Sequence, residues 1–389
     1  MTATIIDGLW PDMATARFFL SSLIRPEVGG LCDLSDRGIT AVSLANWLIT
    51  HELAPLAYAR LQQEWPSLRQ HITADWYAAA AENQLHQENL IQIVTAFAQQ
   101  EIPVVISKGS VLAQTVYPDP ACRPMSDIDL WVDPQQMERA VAIMTNLGFI
   151  TREKVERPTS LQALSGGEIA FRRPDWVHGL VELHWSPLGG WWLYHTAVLD
   201  TSGMWQRRLP LTSTQSNLDL TGAAQLDPED TIIQVAVHIA VNHQLSGTLL
   251  RSLADIALVA ANRPVNWQLV AVRAKQWRVA TAVYTALTLT HHLFDLPASE
   301  PARRHLQPNR QRRWLLSRLV NPHTALNRAD IRTSFMRQLL LLLLVDRPVD
   351  IIRLIGRTLW PTAEWREARY GQPTSSITHI QHLLRQRQI

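Results

Sequence analysis

Two aspartates in the segment Asp127-Ile-Asp129 have the residue type and spacing of metal ligands. The apolar run that follows, Leu130 to Val132, is typical of a buried strand, so both carboxylates should lie on one face of it. Like charges about 7 Å apart along one strand repel each other unless a cation lies between them. The pair therefore predicts a divalent cation site, with a solvent-exposed acidic pair at a strand end as the alternative.

A third carboxylate, Glu182, lies in the segment Val181 to Trp185, which alternates as a half-buried strand would. Glu182 and His184 share one face of this strand. If the strand is adjacent to the one that carries Asp127, Glu182 completes a three-carboxylate cluster suited to Mg²⁺. Taken alone, Glu182 is an ordinary polar position, and His184 is either a contact of the cluster or a structural histidine.

The segment Lys108-Gly109-Ser110 follows another short apolar run, Ile102 to Ile106, and precedes residues that can begin a helix. Glycine lets backbone N–H groups approach an anion, the serine hydroxyl adds a donor, and a helix N-terminus favours negative charge. The segment predicts a phosphate-binding turn, with an ordinary tight turn as the alternative. Lys108 is also one of only three lysines among 36 basic residues.

The elements that would position these groups change in character along the chain. Helical spacing of apolar residues predicts helices from Ala41 to about Arg60 and from about Asp75 to Gln100. Strands are then expected at 102–106, 128–132 and 179–185, with a helix opened by Asp133-Pro134 and closed near Leu147. Residues 150–176 are ambiguous. No strand is expected after residue 219, where helices are predicted near 228–243, 250–261, 266–276, 279–294, 310–319, 330–345 and 348–358.

This order predicts an α+β fold, with a small mixed β-sheet core between N-terminal helices and an all-helical C-terminal region. The expected division is 1–75, 76–215 and 216–389. At 47% hydrophobic and 18% charged, the composition excludes a disordered chain, and two cysteines exclude a disulfide scaffold. The N-terminus has no secretory pattern, and the longest apolar run, Leu339 to Val345, is too short to span a bilayer. We therefore expect a soluble, cytoplasmic protein with no membrane partner.

Charge is distributed unevenly along the chain. Residues 1–300 hold 20 basic and 29 acidic side chains, whereas residues 301–389 hold 16 arginines and five acidic side chains. An excess of arginine can bind a polyanion such as RNA, or basic helices can pack on an acidic body. The arginines alternate with Leu, Trp and Ile at helical spacing, which favours packing.

Together these segments resemble the nucleotidyltransferase superfamily that includes DNA polymerase beta, whose pattern is strand, Gly-Ser, helix, Asp-x-Asp and a third carboxylate. A closer resemblance is to the bacterial uncharacterised nucleotidyltransferase family. It rests on five segments: 102–113, Tyr117-Pro-Asp-Pro, 123–130, Leu147-Gly-Phe149 and 181–185. Fainter similarity continues at His238, 250–257, Trp360-Pro361 and 369–371. The resemblance implies that the sheet is a nucleotidyltransferase core.

The resemblance also implies a reaction, in which a nucleoside monophosphate moves from a nucleoside triphosphate, ATP foremost, to an acceptor hydroxyl of a small molecule, peptide or protein. Mg²⁺, or Mn²⁺ in its place, would be the cofactor and pyrophosphate the leaving group. The implied catalytic residues and metal ligands are Asp127, Asp129 and Glu182. The implied phosphate-binding residues are Lys108, Gly109, Ser110 and Arg123. For Arg123, a salt bridge that steadies its loop is an equal alternative.

Two other functions fit the same residues. One is modification of RNA, such as a tRNA 3′ end, with residues 301–389 as the phosphate-binding surface. The other is a nucleotide-binding or docking module without catalysis. His238, Arg251 and Asp255, on predicted helices, either line the far wall of the cleft or form a buried polar network.

Overall fold

The structure is a computed structural model in which helices surround one seven-stranded mixed sheet. It describes residues 9–28, 34–61, 64–152, 158–174, 176, 179–211, 220–326 and 332–386. Cys32 and the predicted boundary at 215/216 lie outside these ranges. The strands are β1 Val104–Ser107, β2 Asp127–Val132, β3 Ile150–Thr151, β4 Glu168–Arg172, β5 Leu180–His184, β6 Leu209–Pro210 and β7 Ala223–Gln225.

Twenty α-helices lie within the described residues. In chain order they are α1 Met13–Ile24, α2 Ala41–Thr50, α3 Ala54–Leu61, α4 Pro66–Gln99, α5 Lys108–Thr115, α6 Met137–Asn146, α7 Thr159–Ala163, α8 Trp191–Thr196, α9 Thr201–Gln206, α10 Pro228–Val237, α11 Leu249–Asn262, α12 Trp267–Gln276, α13 Ala280–Phe294, α14 Glu300–Leu306, α15 Arg310–Leu319, α16 Pro322–Ala325, α17 Ser334–Leu343, α18 Pro348–Leu359, α19 Ala363–Tyr370 and α20 Ser376–Gln386.

The strand order is β3-β4-β5-β2-β1-β7-β6. The pairs β2–β5 and β1–β7 are parallel, and the other pairs are antiparallel. Apolar side chains of β1, β2 and β5 form the centre of the core, where Ile106, Ile128 and Val181 are fully buried. The condition that the two acidic strands are adjacent is met, because Asp129 of β2 is the direct partner of Glu182 of β5.

The 34-residue helix α4 begins at Pro66, a favoured first helical residue, and packs along one side of the core. Its buried Asn83 donates to the carbonyls of Pro120 (2.5 Å) and Arg123 (2.9 Å), which fixes the loop that precedes β2. Helix α4 also runs across the predicted boundary at 75/76. The division into three regions stays a prediction.

The predicted α+β class is confirmed, and the helices expected after residue 227 lie close to their predicted positions. One expectation is wrong: β7, at 223–225, is a strand after residue 219, where it pairs with β1 on one side and with β6 on the other. The helix expected over 41–60 is two helices, α2 and α3, separated by a turn in which Glu52 has φ +58°. Strand β4 lies in the ambiguous region, and α1 was not expected from the periodicity.

No described helix combines the length and the apolar character that crossing a membrane requires. The cytoplasmic location expected from the sequence stays a prediction.

The C-terminal segment is joined to the helical core by Asp346, which caps a helix distant in sequence. Its carboxylate accepts hydrogen bonds from the backbone N–H groups of Ala280 (2.7 Å) and Thr281 (2.9 Å), and from the Thr281 hydroxyl (2.7 Å). These N–H groups lie at the start of α13, where an α-helix has no internal acceptors for them. Asp346 therefore fixes α17 and α18 relative to α13.

We predict that Asp346→Ala lowers the free energy of unfolding by about 1–2 kcal/mol, the usual effect of losing a helix cap. Amide hydrogen exchange should accelerate at residues 280–281 and in α17 and α18, while Glu364→Ala, an exposed position on α19, should change neither quantity. Unchanged exchange at the start of α13 in the Asp346 variant would show that the cap does not hold the two parts together.

Candidate active site

A cavity of about 500 Å³ lies between strands β2 and β5 of the sheet and the helices α10 and α11. We call it the charged cavity, because nine ionisable acidic or basic side chains and three histidines line it. Its acidic and basic residues are Glu52, Lys108, Arg123, Asp127, Asp129, Glu168, Glu182, Arg251 and Asp255. The charged cavity thus brings together all the predicted site residues except Ser110.

At the centre of the charged cavity, Asp129 is 2% exposed and contacts two nitrogen donors. Lys108 Nζ lies 2.7 Å from Asp129 Oδ1, and His184 Nε2 lies 2.7 Å from the same oxygen. The sheet register causes this arrangement, because Ser107 of β1 is paired with Asp129 and His184 ends β5 two residues after Glu182. Asp129 is therefore held from two sides by neighbouring strands.

Asp129, Glu182 and His184 each offer a ligand atom within 4.8 Å of the others. On the far side of His184, Nδ1 lies 3.9 Å from Glu168 Oε2, so the imidazole lies between two carboxylates. Asp127 lines the same cavity but lies outside this three-residue group. Carboxylate oxygens fit Mg²⁺ or Mn²⁺, and the arrangement around His184 is the one that commonly orients a metal-ligating carboxylate.

The pKa values show how the crowded charges are balanced. Burial alone would raise the pKa of Asp129, but Lys108 and His184 hold that pKa well below its usual range. Burial, followed by the charges of Asp129 and Glu182, raises the pKa of Asp127 to about 6. Burial opposes the charge of Lys108, yet the three carboxylates outweigh it and raise the lysine pKa. One ammonium group therefore does not neutralise the cluster, and the residues fit an additional cation.

The turn between β1 and α5 has an unusual backbone at Lys108, whose φ is +50°. This left-handed conformation is unfavourable for a residue with a side chain, and it directs the chain from the strand directly into the helix. Gly109 lines the charged cavity in the first turn of α5. Ser110 is buried instead, and its hydroxyl donates to the carbonyl of Asp127 at 3.4 Å. Ser110 thus connects the turn to β2.

Arg123 forms a buried network with two partners. Its guanidinium binds Asp255 through two hydrogen bonds of 2.9 Å, and the Tyr117 hydroxyl donates to the same carboxylate at 2.7 Å. A Cβ atom at Gly109 would lie 2.1 Å from Arg123 Nη1, so the close packing requires glycine there. The salt bridge considered for Arg123 is present in this structure, and its role as a phosphate contact stays a prediction.

Arg251 of α11 is the other guanidinium in the charged cavity. Its Nη1 donates to Glu52 Oε2 (2.5 Å) and to the Pro124 carbonyl (3.1 Å), and its Nε has no partner within the described ranges. Burial and the neighbouring Arg123 lower the pKa of Arg251. Arg251 and Asp255 therefore line the far wall and also belong to a polar network, so the two alternatives were not exclusive.

A single turn of π-helix, His238–Asn242, follows α10 and borders the charged cavity. His238 Nε2 lies 2.9 Å from His243 Nε2, which requires at least one of the two rings to be neutral. Burial and the Lys108 ammonium hold the pKa of His238 well below its usual value. His238 is consequently a neutral hydrogen-bonding group near pH 7 and is a weak base.

The arginines after residue 300 make many contacts within the chain. Arg312 donates to the Val345 carbonyl (3.0 Å), Arg353 binds Asp350 (2.7 Å), and Arg366 donates to the Pro361 carbonyl (2.5 Å). Only the first of these contacts joins separate elements, α15 and the residues after α17, since Arg353 and Asp350 both belong to α18 and Pro361 lies just before α19. Packing of the basic helices on an acidic body stays a prediction. An RNA-binding surface over 301–389 stays a prediction.

Two residues of the site could not be assigned from the sequence alone. Glu168 begins β4, and the alternation of Ile169 and Phe171 with more polar neighbours is the signal that could have identified this strand. Asn242 lines the charged cavity at the end of the π-helix, which shifts the helical register. No residue pattern in the sequence predicts this shift.

A family model described as uncharacterised nucleotidyltransferase matches residues 39–295. Comparisons with curated proteins and with solved structures give no match. The matched range contains every residue that lines the charged cavity. The similarity therefore covers the part of the chain that holds the acidic cluster.

We predict that Gly109→Ala lowers the free energy of unfolding by about 1–3 kcal/mol, the usual range for overpacking. The added methyl group would meet Arg123 Nη1, and the two bonds to Asp255 prevent the guanidinium from moving aside. Gly356→Ala is the matched control, since no atom lies within 4 Å of its Cβ position in helix α18. In urea unfolding, the free energy of unfolding of the control should rise by up to about 1 kcal/mol. Equal behaviour of both variants would show that Arg123 is free to move.

We predict that Asp127→Asn stabilises the metal-free protein above pH 6. The carboxyl pKa is about 6 in the folded chain against 3.8 in the unfolded chain, so the folded chain binds more protons between these values. Stability is consequently lost as pH rises through this window, by roughly 3 kcal/mol at most. The Asn variant avoids the loss, and its advantage should shrink below pH 6 and nearly vanish at pH 4. The test is urea unfolding in the presence of a chelator, with the exposed Asp36→Asn as the control. A stability advantage of Asp127→Asn that does not depend on pH would contradict the prediction.

Proposed function

The chain belongs to the uncharacterised nucleotidyltransferase family and is a nucleotidyltransferase, and on this basis we propose that it transfers a nucleoside monophosphate from a nucleoside triphosphate to an acceptor hydroxyl. Pyrophosphate is the other product. The observation that carries the proposal is the direct pairing of Asp129 with Glu182 across β2 and β5, with Lys108 Nζ 2.7 Å from Asp129. This arrangement supports the proposal, because acidic groups and the Lys108 ammonium line one cavity.

Mg²⁺, with Mn²⁺ as a substitute, is the proposed cofactor. When bound, the metal would hold the triphosphate oxygens, stabilise their charge and lower the pKa of the attacking hydroxyl. Asp127, Asp129 and Glu182 would hold it through carboxylate oxygens. His184 would continue to orient Asp129 through its 2.7 Å contact, because imidazole nitrogen is a poor ligand for Mg²⁺.

Lys108 and Gly109 are the proposed phosphate contacts. The Lys108 ammonium now neutralises part of the acidic cluster, and the arrival of a metal would release it to bind a phosphate oxygen. Gly109 offers its backbone N–H at the start of α5, where the helix dipole favours negative charge. Ser110 and Arg123, both held by the chain itself, position the turn and the loop around the phosphates. Arg251, which lines the far wall, is the proposed second cation.

In the proposed transfer, the acceptor hydroxyl oxygen forms a bond to the α-phosphorus as the bond from that phosphorus to the bridging oxygen breaks. The bridging oxygen leaves with pyrophosphate, and the hydroxyl proton passes to the Glu182 carboxylate. Lys108 and Arg251 stabilise the charge that develops on the leaving group. ATP is the proposed nucleotide, and the acceptor is a small molecule, a peptide or a protein.

We predict that purified protein transfers label from α-³²P-ATP to a component of cell extract in the presence of Mg²⁺ or Mn²⁺. Asp129→Asn should reduce transfer at least a hundredfold, because the variant removes the central carboxylate charge while keeping the side-chain shape. Glu138→Gln, an exposed position on α6, is the matched control and should transfer normally. Transfer is measured as label retained on acceptors separated by size.

The outcomes separate the competing functions. Label transfer by Asp129→Asn at the wild-type rate would contradict the catalytic assignment. Label that ribonuclease removes, together with binding that weakens steeply as salt rises, would favour the RNA-modifying alternative. Metal-dependent ATP binding by the wild type without any transfer would favour the non-catalytic nucleotide-binding module.

A further inference from the structure

A second cavity, of about 710 Å³, lies beside the charged cavity. We call it the apolar cavity, and its walls include Trp191, Trp192, Leu341, Leu354, Ile355 and Trp365. Gly189 and Asn242 line both cavities, so the two are adjacent. Its volume falls within the range of small-molecule sites, about 300–1,000 Å³.

The two cavities differ sharply in chemistry. Among the described residues that line the apolar cavity, none carries a charge, and the polar ones are amides and hydroxyls. The Nε1 groups of Trp191 and Trp192 are already bonded, to Thr358 Oγ1 (3.1 Å) and to the Leu341 carbonyl (3.0 Å). The rings of Trp191 and Trp365 lie 4.8 Å apart. The indole N–H groups are therefore occupied, and the uncharged lining suits an apolar ligand better than P–O⁻ groups.

The boundary between the cavities lacks large side chains. After β5 ends at His184, the chain reaches this boundary at Gly189 and Gly190. Helix α8 follows and forms a wall of the apolar cavity. A Cβ atom on Gly189 would lie 2.0 Å from the Gly166 carbonyl oxygen, and Gly190 has φ +114°, so both positions require glycine. At Gly189, which lines both cavities, a ligand therefore meets backbone rather than a side chain.

The two cavities are built from different parts of the chain. All residues that line the charged cavity fall between 52 and 255, within the range 39–295 that the family model matches. Eight residues of the apolar cavity, from Gln338 on α17 to Trp365 on α19, fall beyond that range. The charged cavity therefore lies within the part of the chain that the family model matches, whereas part of the wall of the apolar cavity comes from residues outside that part.

We propose that the apolar cavity binds the body of the acceptor, which is a small molecule with an uncharged, largely aromatic or aliphatic body and a hydroxyl group. The hydroxyl extends past Gly189 and Gly190 to the metal cluster, while the triphosphate occupies the charged cavity. This inference rests on the proposed function and specifies its acceptor. The competing occupant is the nucleobase of the triphosphate, which is also flat and aromatic.

The test introduces a charge into the apolar cavity at a position that tolerates it. Ile355 on α18 lines the cavity and is 44% exposed, so Ile355→Glu should fold normally. Ile352→Glu is the matched control, because Ile352 is on the same helix, is 72% exposed and does not line the cavity. Two probes are used: N-phenyl-1-naphthylamine, whose fluorescence reports apolar binding, and 2-(2-naphthyl)ethanol, an acceptor compared with glycerol in transfer from α-³²P-ATP.

We expect Ile355→Glu to weaken binding of N-phenyl-1-naphthylamine by roughly tenfold or more, because a bound ligand would cover the new carboxylate and remove part of its hydration. The wild type and Ile352→Glu should transfer nucleotide to 2-(2-naphthyl)ethanol faster than to glycerol, and Ile355→Glu should lose this preference while keeping its KM for ATP. Asp129→Asn should bind the fluorescent probe normally and transfer nothing.

Other outcomes overturn the proposal in distinguishable ways. Equal probe binding by Ile355→Glu and Ile352→Glu would show that the cavity is not an apolar site. A raised KM for ATP in Ile355→Glu, with no change in acceptor preference, would assign the cavity to the nucleobase. Probe binding with the expected pattern, in a wild type that transfers nucleotide to no acceptor, would refute the proposed function and leave an apolar ligand site without an acceptor role.

Discussion

Crowding of carboxylates on two neighbouring parallel strands is the constraint on which the rest of this structure depends. The pairing of β2 with β5 places Asp129 beside Glu182 in a largely buried cavity, where water cannot screen their repulsion. The apolar core of the sheet supplies the stability that holds them together, and the Lys108 ammonium offsets only part of the charge. An acidic centre of this kind is unfavourable for folding and favourable for binding a cation, and the two properties have one cause.

The surrounding network keeps the charged cavity open. Asn83 of α4 and Asp255 of α11 hold the loop before β2 from opposite sides, and Arg251 links α11 to Glu52 in the N-terminal helices. Most of these contacts are hydrogen-bonded ion pairs or backbone contacts between elements far apart in sequence. The helical regions therefore act as walls of the site, and a change in their packing would alter the distance between the acidic cluster and its cations.

Local pattern was sufficient for most helices after residue 227 and for strands with apolar runs. The alternation around Glu182 predicted a strand, but its place beside Asp129 stood only as a condition, which the pairing of β2 with β5 meets. Short strands such as β7 were not predictable, because three residues carry no periodic signal and β7 exists only through its pairing with β1 and β6. The burial of Ser110, the bidentate bond of Arg123 and the apolar cavity were hidden for a related reason. Each depends on residues brought together by tertiary packing, which sequence spacing does not encode.

The buried pair of Arg123 and Asp255 has a consequence for how the chain is made. The two residues are 132 positions apart, so during synthesis the Arg123 guanidinium cannot pair with Asp255 until α11 has left the ribosome. The sheet is also incomplete until β7 has emerged, since β1 pairs with it across more than a hundred residues. The loop that carries Arg123 cannot be fixed before then, and the nascent N-terminal half exposes an unfinished sheet edge. The charged cavity is thus assembled late in synthesis. A chain released early would lack the complete cavity and would expose surfaces that chaperones bind.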